Sequence, residues 1–412
     1  CCLSDRTYLN TTVTSVSGST INSGIEISSI GQAASVLVSN NTVSGAMAGI
    51  NLWNNPTTTP LAIGANTFIN CDYGVFANNY DGYNSNAGNS SYILNGGTIT
   101  NPLIAGIYVK DNDLNSNNAT VAVNVSGTAI SGSATGMAAF LVEGKDATIS
   151  FSGATPQAIV TGAPKYFVLR TNGTDVPAGN IDATAVLFDT KLGSVMTLTD
   201  LFATEDKIDH KIDLATLGFV TVKANNDFVT ANSFLAPNTT PSIQRGIDAA
   251  SANFIVNVAP GTFAENLNVN KGITLKGANV GVACTGPRGT ETILNGSGGV
   301  VVSVSADGVT LDGFEITNPA GNNAIASDGR SDLSIINNNI HHIGTLPVLS
   351  NNTHAIAVSS NTAAVDNVYI ADNCFSNIRG GENLPATSNG SAAAIGVGWS
   401  NANFDVSNLV IE

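Results

Sequence analysis

Two markers recur along the first half of the chain and advance together, and this repetition limits the possible folds more than any other feature. One marker is a glycine followed by alternating aliphatic residues. It occurs at Gly24-Ile25-Glu26-Ile27, Gly49-Ile50-Asn51-Leu52, Gly74-Val75-Phe76, Gly106-Ile107-Tyr108-Val109 and Gly136-Met137, so its steps are 25, 25, 32 and 30 residues. The other is Asn or Gly, then Thr, then an apolar residue. It occurs at Asn41-Thr42-Val43, Asn66-Thr67-Phe68, Gly97-Thr98-Ile99 and Gly127-Thr128-Ala129, with steps of 25, 31 and 30. Periods of this size belong to solenoids, propellers or arrays. Each unit holds short stretches of alternating apolar residues, such as Ser35-Val36-Leu37-Val38 and Ala122-Val123-Asn124-Val125, and lacks helical periodicity. Asn and Gly lie between them, where tight corners need left-handed backbone angles. Short strands and corners at this period fit the coils of a right-handed parallel β-helix, whose inward residues stack into one continuous core.

The period breaks over residues 161–235, where charges gather in Thr204-Glu205-Asp206-Lys207-Ile208-Asp209-His210-Lys211-Ile212-Asp213. There Leu201, Ile208 and Ile212 fit one helical face, with a paired hairpin as the competing reading, and His210 reads as exposed. A new start follows. Thr240-Pro241-Ser242-Ile243-Gln244-Arg245-Gly246-Ile247-Asp248-Ala249-Ala250 reads as a short helix with Thr240 as its cap and Pro241 in its first position. Ile243, Ile247 and Ala250 line one face, and such a helix would cover the open end of a first coil. The expected architecture is all-β: right-handed parallel β-helix solenoids in tandem, with a short helical cap starting the second. The expected domains are 1–160, the last coils of a longer β-helix; 161–235, a junction; and 236–412, the first coils of a second, truncated one. Both ends read as cut, and the two solenoids are expected to form a stiff pair.

Composition narrows the function classes. Hydrophobic residues make up 43% and charged residues 11%, against roughly 25% charged in an average globular domain. Asn, Ser, Thr and Gly take the place of the missing charges. The formal charge of -15 argues against nucleic acid as a partner, because phosphate neutralisation needs a basic stripe. It also argues against attachment to anionic lipid. No run of 18 or more apolar residues occurs, so no transmembrane helix is expected. Of the five cysteines, Cys71 and Cys374 sit in apolar strand patterns and read as buried thiols. Cys284 lies in a polar segment where a disulfide is possible.

The segment from Ser242 to Gly277 carries a recognisable pattern. Ser-Ile-Gln-x-x-Ile-Asp-Ala-Ala is followed by Val-x-Pro-Gly-Thr-Phe-x-Glu-Asn-Leu-x-Val and by Ile-Thr-Leu-Lys-Gly. It resembles the opening of pectin-lyase-like β-helices. The coils at Asn337-Asn338-Asn339-Ile340 and Asp372-Asn373-Cys374-Phe375 resemble generic repeats of the same superfamily. Taken whole, the chain is similar to large secreted or cell-surface β-helix proteins of Bacteroidota. The resemblance implies the fold; activity belongs to sites grafted on it.

No catalytic constellation is assigned from sequence. The aspartate pair and arginine of pectin methylesterases have no match here. Asp111 and Asp113 lie close enough to place two carboxylates near a cation, so Ca2+ is possible there; no cofactor is otherwise assigned. The competing reading is a solvated turn. Asp307, Asp312, Asp328, Asp332 and Asp366 are mostly isolated; Asp307 and Asp312 flank a strand and read as turn formers, and a glycosidase carboxylate pair among the five is the competing reading. His341, His342 and His354 could meet across stacked coils as a zinc or acid–base cluster. Trp53, Tyr80 and Tyr83 fall in insertions between coils, which in solenoids gather on one face; they are the candidate glycan-stacking residues. Thr42, Thr67, Thr98 and Thr128 suggest an ice- or crystal-binding ladder, but their place beside Asn or Gly predicts corner threonines stacked inside. The leading expectation is a non-catalytic surface or adhesion module, secreted or on a bacterial cell surface, contacting glycans or surfaces and other segments of a longer chain. The alternative is a polysaccharide lyase or hydrolase.

Overall fold

The computed structural model describes residues 6–9, 11–14, 21–28, 36–56, 58–79, 88–111, 119–173, 175, 177, 179–344, 352–380, 391–398 and 404–412. They form two compact units, Cys1–Ala224 and Asn225–Glu412. Each is a parallel β-solenoid, in which three successive strands of one coil join three different sheets.

In unit 1 the first sheet contains Arg6–Leu9, Val36–Ser39, Leu61–Ile63, Ser90–Asn95, Val121–Ser126 and Ala147–Phe151. The second contains Thr12–Thr14, Thr42–Ser44, Thr67–Ile69, Thr98–Thr100, Thr128–Ser131, Ala158–Thr161 and Val186–Phe188, closed by an antiparallel piece at Lys191–Leu192. The third contains Ile21–Ser28, Ala46–Trp53, Tyr73–Asn78, Ala105–Lys110, Ala138–Glu143, Lys165–Arg170 and Ile208–Asp209. The core is built of columns. Ile25, Ile50, Val75, Ile107, Phe140, Phe167 and Ile208 stand in register on the third sheet and are buried. Val43, Phe68, Ile99, Ile130, Val160 and Phe188 do the same on the second. Full burial of each such side chain contributes about 1.5–3 kcal/mol relative to exposure. Corners are turned by asparagines in the left-handed region, with φ of 57° at Asn40, 51° at Asn70 and 50° at Asn101. Beside them a buried amide ladder runs between coils, Asn41 donating its backbone N–H and Nδ2 to Asn66 Oδ1.

The region 161–235 does not stand apart from these coils. Its first part supplies strands to the second and third sheets of unit 1, and Asn226–Val229 pairs with Ile255–Val258 in unit 2. The helix there, α1, spans Leu198–Glu205 and is capped by Thr197 and Asp200. Ile208 lies beyond it in a strand, so Leu201, Ile208 and Ile212 share burial rather than a helical face. His210, expected at the surface, is buried.

Among the described residues, unit 2 has sheets of seven, five and five strands. Helix α2, Ile243–Ala249, links its first two paired strands and buries Ile243 and Ile247. Its N-cap is Ser242, whose hydroxyl accepts from Arg245 N, and not Thr240. Cys374 is not a buried thiol: it is disulfide-bonded to Cys284. Cys71 is a buried free thiol. The isolated aspartates tie one coil to the next. Asp307 accepts from Ser331 N, Asp328 from Asn361 N, and Asp332 from Asn367 Nδ2.

Candidate functional site

The outer face of the third sheet of unit 1 differs from the other strand faces in its chemistry. Because side chains alternate across a strand, the residues two and four places after Gly24, Gly49, Gly74 and Gly106 point outward, and they stack in register with one another and with later strands. The first outward column holds Glu26, Asn51, Phe76, Tyr108, Leu141 and Val168; the second holds Ser28, Trp53, Asn78, Lys110, Glu143 and Arg170. Tyr73 lies on the same face. Its ring centroid is 5.4 Å from Phe76 and 5.2 Å from Tyr108, and Phe76 stacks on Tyr108 at 4.9 Å. These separations are those of favourable aromatic pairs. Tyr73 and Phe76 remain partly exposed beside buried Tyr108 and Leu141.

A charged group adjoins the aromatic one. Tyr108 donates its hydroxyl to Glu143 Oε2 at 2.8 Å, Arg170 Nε donates to the same oxygen, and Lys110 Nζ is 3.1 Å from Glu143 Oε1. The Arg170 guanidinium also lies 5.6 Å from the Tyr108 ring centroid, within cation–π range. Burial pushes Glu143 up, but the hydrogen bonds from Tyr108, Lys110 and Arg170 together outweigh it and hold the carboxyl below its ordinary value. Burial, reinforced by Glu143, pushes the Tyr108 phenol well up, so it stays protonated at neutral pH. The group has two cations and one anion, and the Arg170 side chain is half exposed.

Of the residues proposed from sequence, Trp53 falls on this face and is half-buried, with Asn78 in register beside it. Tyr80, Tyr83 and Asp113 lie outside the described residues. Asp111 is buried, and its carboxylate accepts from Asn79 Nδ2 at 3.0 Å and from Asp146 N at 3.3 Å; it ties coils together. Among the described residues no group of three or more His, Cys, Asp or Glu side chains is arranged to hold a metal ion. His341 and His354 stand on different sheets of unit 2. His354 is buried, which lowers its pKa. Thr42, Thr67 and Thr98 do not stack inside: they form an outward column, with Thr98 Oγ1 donating to Thr67 Oγ1 at 3.3 Å. Thr128 leaves that column, because Ala129 pairs with Thr98 and the Thr128 hydroxyl donates to Gly96 O.

Sequence reasoning missed Tyr73, Phe76, Tyr108, Lys110, Glu143 and Arg170. A signal existed for some of them. Counting four residues on from Gly24, Gly49, Gly74 and Gly106 gives Ser28, Trp53, Asn78 and Lys110, the first four residues of the second column. The count fails at Gly136, which occupies a turn at φ 81°, while Ala139 takes the strand position equivalent to Gly106.

No family model matches this chain, and no curated protein matches it significantly. Among solved structures, a PL6 family alginate lyase, AlyGC, is similar over 98% of this chain and 82% of that one, at 10% identity and a TM-score of 0.28. No helix among the described residues is long and apolar enough to cross a membrane.

Proposed function

We propose that this chain is a glycan-contacting module of an extracellular or cell-surface protein, and that unit 1 holds the glycan along the outer face of its third sheet. One observation carries the reading: the partly exposed Tyr73–Phe76 platform next to the Lys110–Glu143–Arg170 group, with Trp53 and Asn78 in register alongside. Aromatic rings stack on the apolar faces of sugars, and amide groups hydrogen-bond their hydroxyls. The excess cation favours an acidic glycan. Binding is preferred to turnover because Glu143, saturated with donors, is a poor proton acceptor, and the Tyr108 phenol keeps its proton.

A second reading, a polysaccharide lyase or hydrolase, is favoured by the same convergence of a tyrosine, an arginine, a lysine and a carboxylate. A glycan array run beside a product assay on uronic-acid and neutral polysaccharides separates the two. Binding without product, weakened about 3–10-fold by Trp53→Ala or Tyr73→Ala and by salt, is the expected result. Product formation lost in Arg170→Ala would replace the binding reading with the enzymatic one. No binding and no product would overturn both.

A further inference from the structure

The second sheet of unit 2 is interrupted by two adjacent histidines. Strand Asn339–Ile343 pairs with Glu315–Asn318 in register as far as His341 opposite Thr317, after which Ile343, not His342, faces Asn318. His342 is the extra residue of a bulge and takes φ 53°, the left-handed region. Bulges re-aim side chains, and a side chain other than glycine held left-handed within a strand costs backbone energy. Here the result is a close pair of imidazoles. His341 Nδ1 and His342 Nδ1 are 2.6 Å apart, with ring planes at 79°. On its other side His341 Nε2 lies 3.1 Å from Glu315 Oε1. The His341 side chain is 19% exposed and His342 is exposed, so solvent reaches the pair.

The tautomers follow from these contacts. An ionised carboxylate only accepts, so His341 carries its hydrogen on Nε2 and presents a lone pair on Nδ1. Two lone pairs do not attract one another, so the 2.6 Å contact requires the hydrogen of His342 to sit on Nδ1. A metal ion can take the place of that hydrogen. The His342 proton moves to its own Nε2, both Nδ1 lone pairs become ligands, and neither neutral ring changes charge. Glu315 then acts as the carboxylate that orients a metal-bound histidine.

To admit an ion, the rings must turn and the 2.6 Å contact must lengthen, since nitrogens bound at about 2.0–2.1 Å stand roughly 2.9 Å apart when cis in a square-planar or octahedral shell. Ligand type and the affinity order select the metal. Cu(II) takes tetragonal nitrogen and oxygen shells and heads the affinity order of the divalent first-row ions. We propose that His341 and His342 form a cis bis-imidazole site for Cu(II), with Glu315 orienting His341 and solvent completing the shell.

The test is a titration of the whole chain with copper sulfate after thiol alkylation, followed by calorimetry and electron paramagnetic resonance. One equivalent of Cu(II) with coupling to two nitrogens is expected, with Zn(II) binding at least tenfold more weakly. His341→Asn and His342→Asn should each weaken Cu(II) at least tenfold, and Glu315→Gln about tenfold. Asparagine tolerates the left-handed backbone at 342, and an unchanged circular dichroism spectrum shows that each variant folds. A double variant that binds copper with the same stoichiometry and spectrum as the parent, or a parent spectrum without nitrogen coupling, overturns the site.

Discussion

A Cβ placed on Gly74 would lie 2.4 Å from Ile99 Cγ2 and 2.8 Å from the Gly106 carbonyl. The same clash recurs along unit 1, at 2.2 Å between Gly24 and Val43, 2.4 Å between Gly49 and Phe68, and 2.7 Å between Gly106 and Ile130. Gly24, Gly49 and Gly74 therefore each abut the apolar residue at the next occurrence of the second marker, and Gly106 abuts Ile130, one residue past it. The two markers are the two sides of one contact, which is why they advance together along the sequence. Space, not backbone angle, demands glycine at these positions. Gly74→Ala should destabilise unit 1 by about 1–3 kcal/mol through overpacking, while Gly179→Ala, where nothing lies within 4 Å, should be near neutral. Equilibrium denaturation of both variants checks this; equal stabilities would refute the packing account. The repeat, the inward columns and the Asn corners were legible because each depends on residues one coil apart. The charged group around Glu143 was not, because Arg170 and Lys110 reach it from either side only after an insertion has shifted the register.

Short elements carry polar arrangements that their own sequences hide. The Glu265 carboxylate caps α2 by accepting from Ser242 Oγ at 2.8 Å and from the Ile243 backbone N–H. At the other end Lys271 Nζ donates to the carbonyls of Ile247, Asp248 and Ala250. Both charges suit the helix dipole, and they give a physical reason for the Glu in the Phe-x-Glu-Asn-Leu stretch. Glu265→Ala should cost about 1–2 kcal/mol and speed amide exchange in α2 first; exchange unchanged in residues 243–249 would remove the capping role. The run around His210 misled for the opposite reason. Glu205, His210 and Asp213 look solvated in sequence, yet α1 and the following turns bury all three. His210 Nε2 bonds Glu205 Oε1 at 2.6 Å, and its Nδ1 accepts from Val220 N. Burial raises the Asp213 carboxyl to about 7, opposed by the nearby His210 and reinforced by Glu205. The folded value lies above the unfolded one, so this carboxyl stabilises unit 1 fully below about pH 4. That contribution is lost as pH rises to about 7, with a ceiling on the order of 4 kcal/mol. Asp213→Asn should remove that slope, because an amide can still accept from His210 N. Parallel stability curves for parent and variant between pH 4 and 7 would sink the argument.

At the scale of the whole chain, repetition makes stability a sum over neighbouring coils, so a defect is felt locally. The Cys284–Cys374 bridge tests this in unit 2. It spans 90 residues of sequence and fastens the segment after Lys276 to a strand several coils further on. Arg288 holds the same segment from within, pairing with Glu291 through Nε at 2.7 Å and Nη2 at 2.9 Å and donating to the Asn337 carbonyl. Sequence pointed to Cys284 as a candidate but placed Cys374 in the core, because an apolar strand pattern cannot show whether one of its residues faces outward. The Asn339–Cys374 register settles that orientation. Replacing both cysteines by alanine frees the unfolded chain and should cost unit 2 about 2–4 kcal/mol. Because Arg288 and Glu291 still anchor the segment, the folded coils should persist. Hydrogen exchange should then rise at residues 278–291 and 372–378, and stay unchanged in the strands of unit 1. Exchange rising equally in unit 1 would mean that the two units unfold as one, and the coil-by-coil account of stability would have to be abandoned.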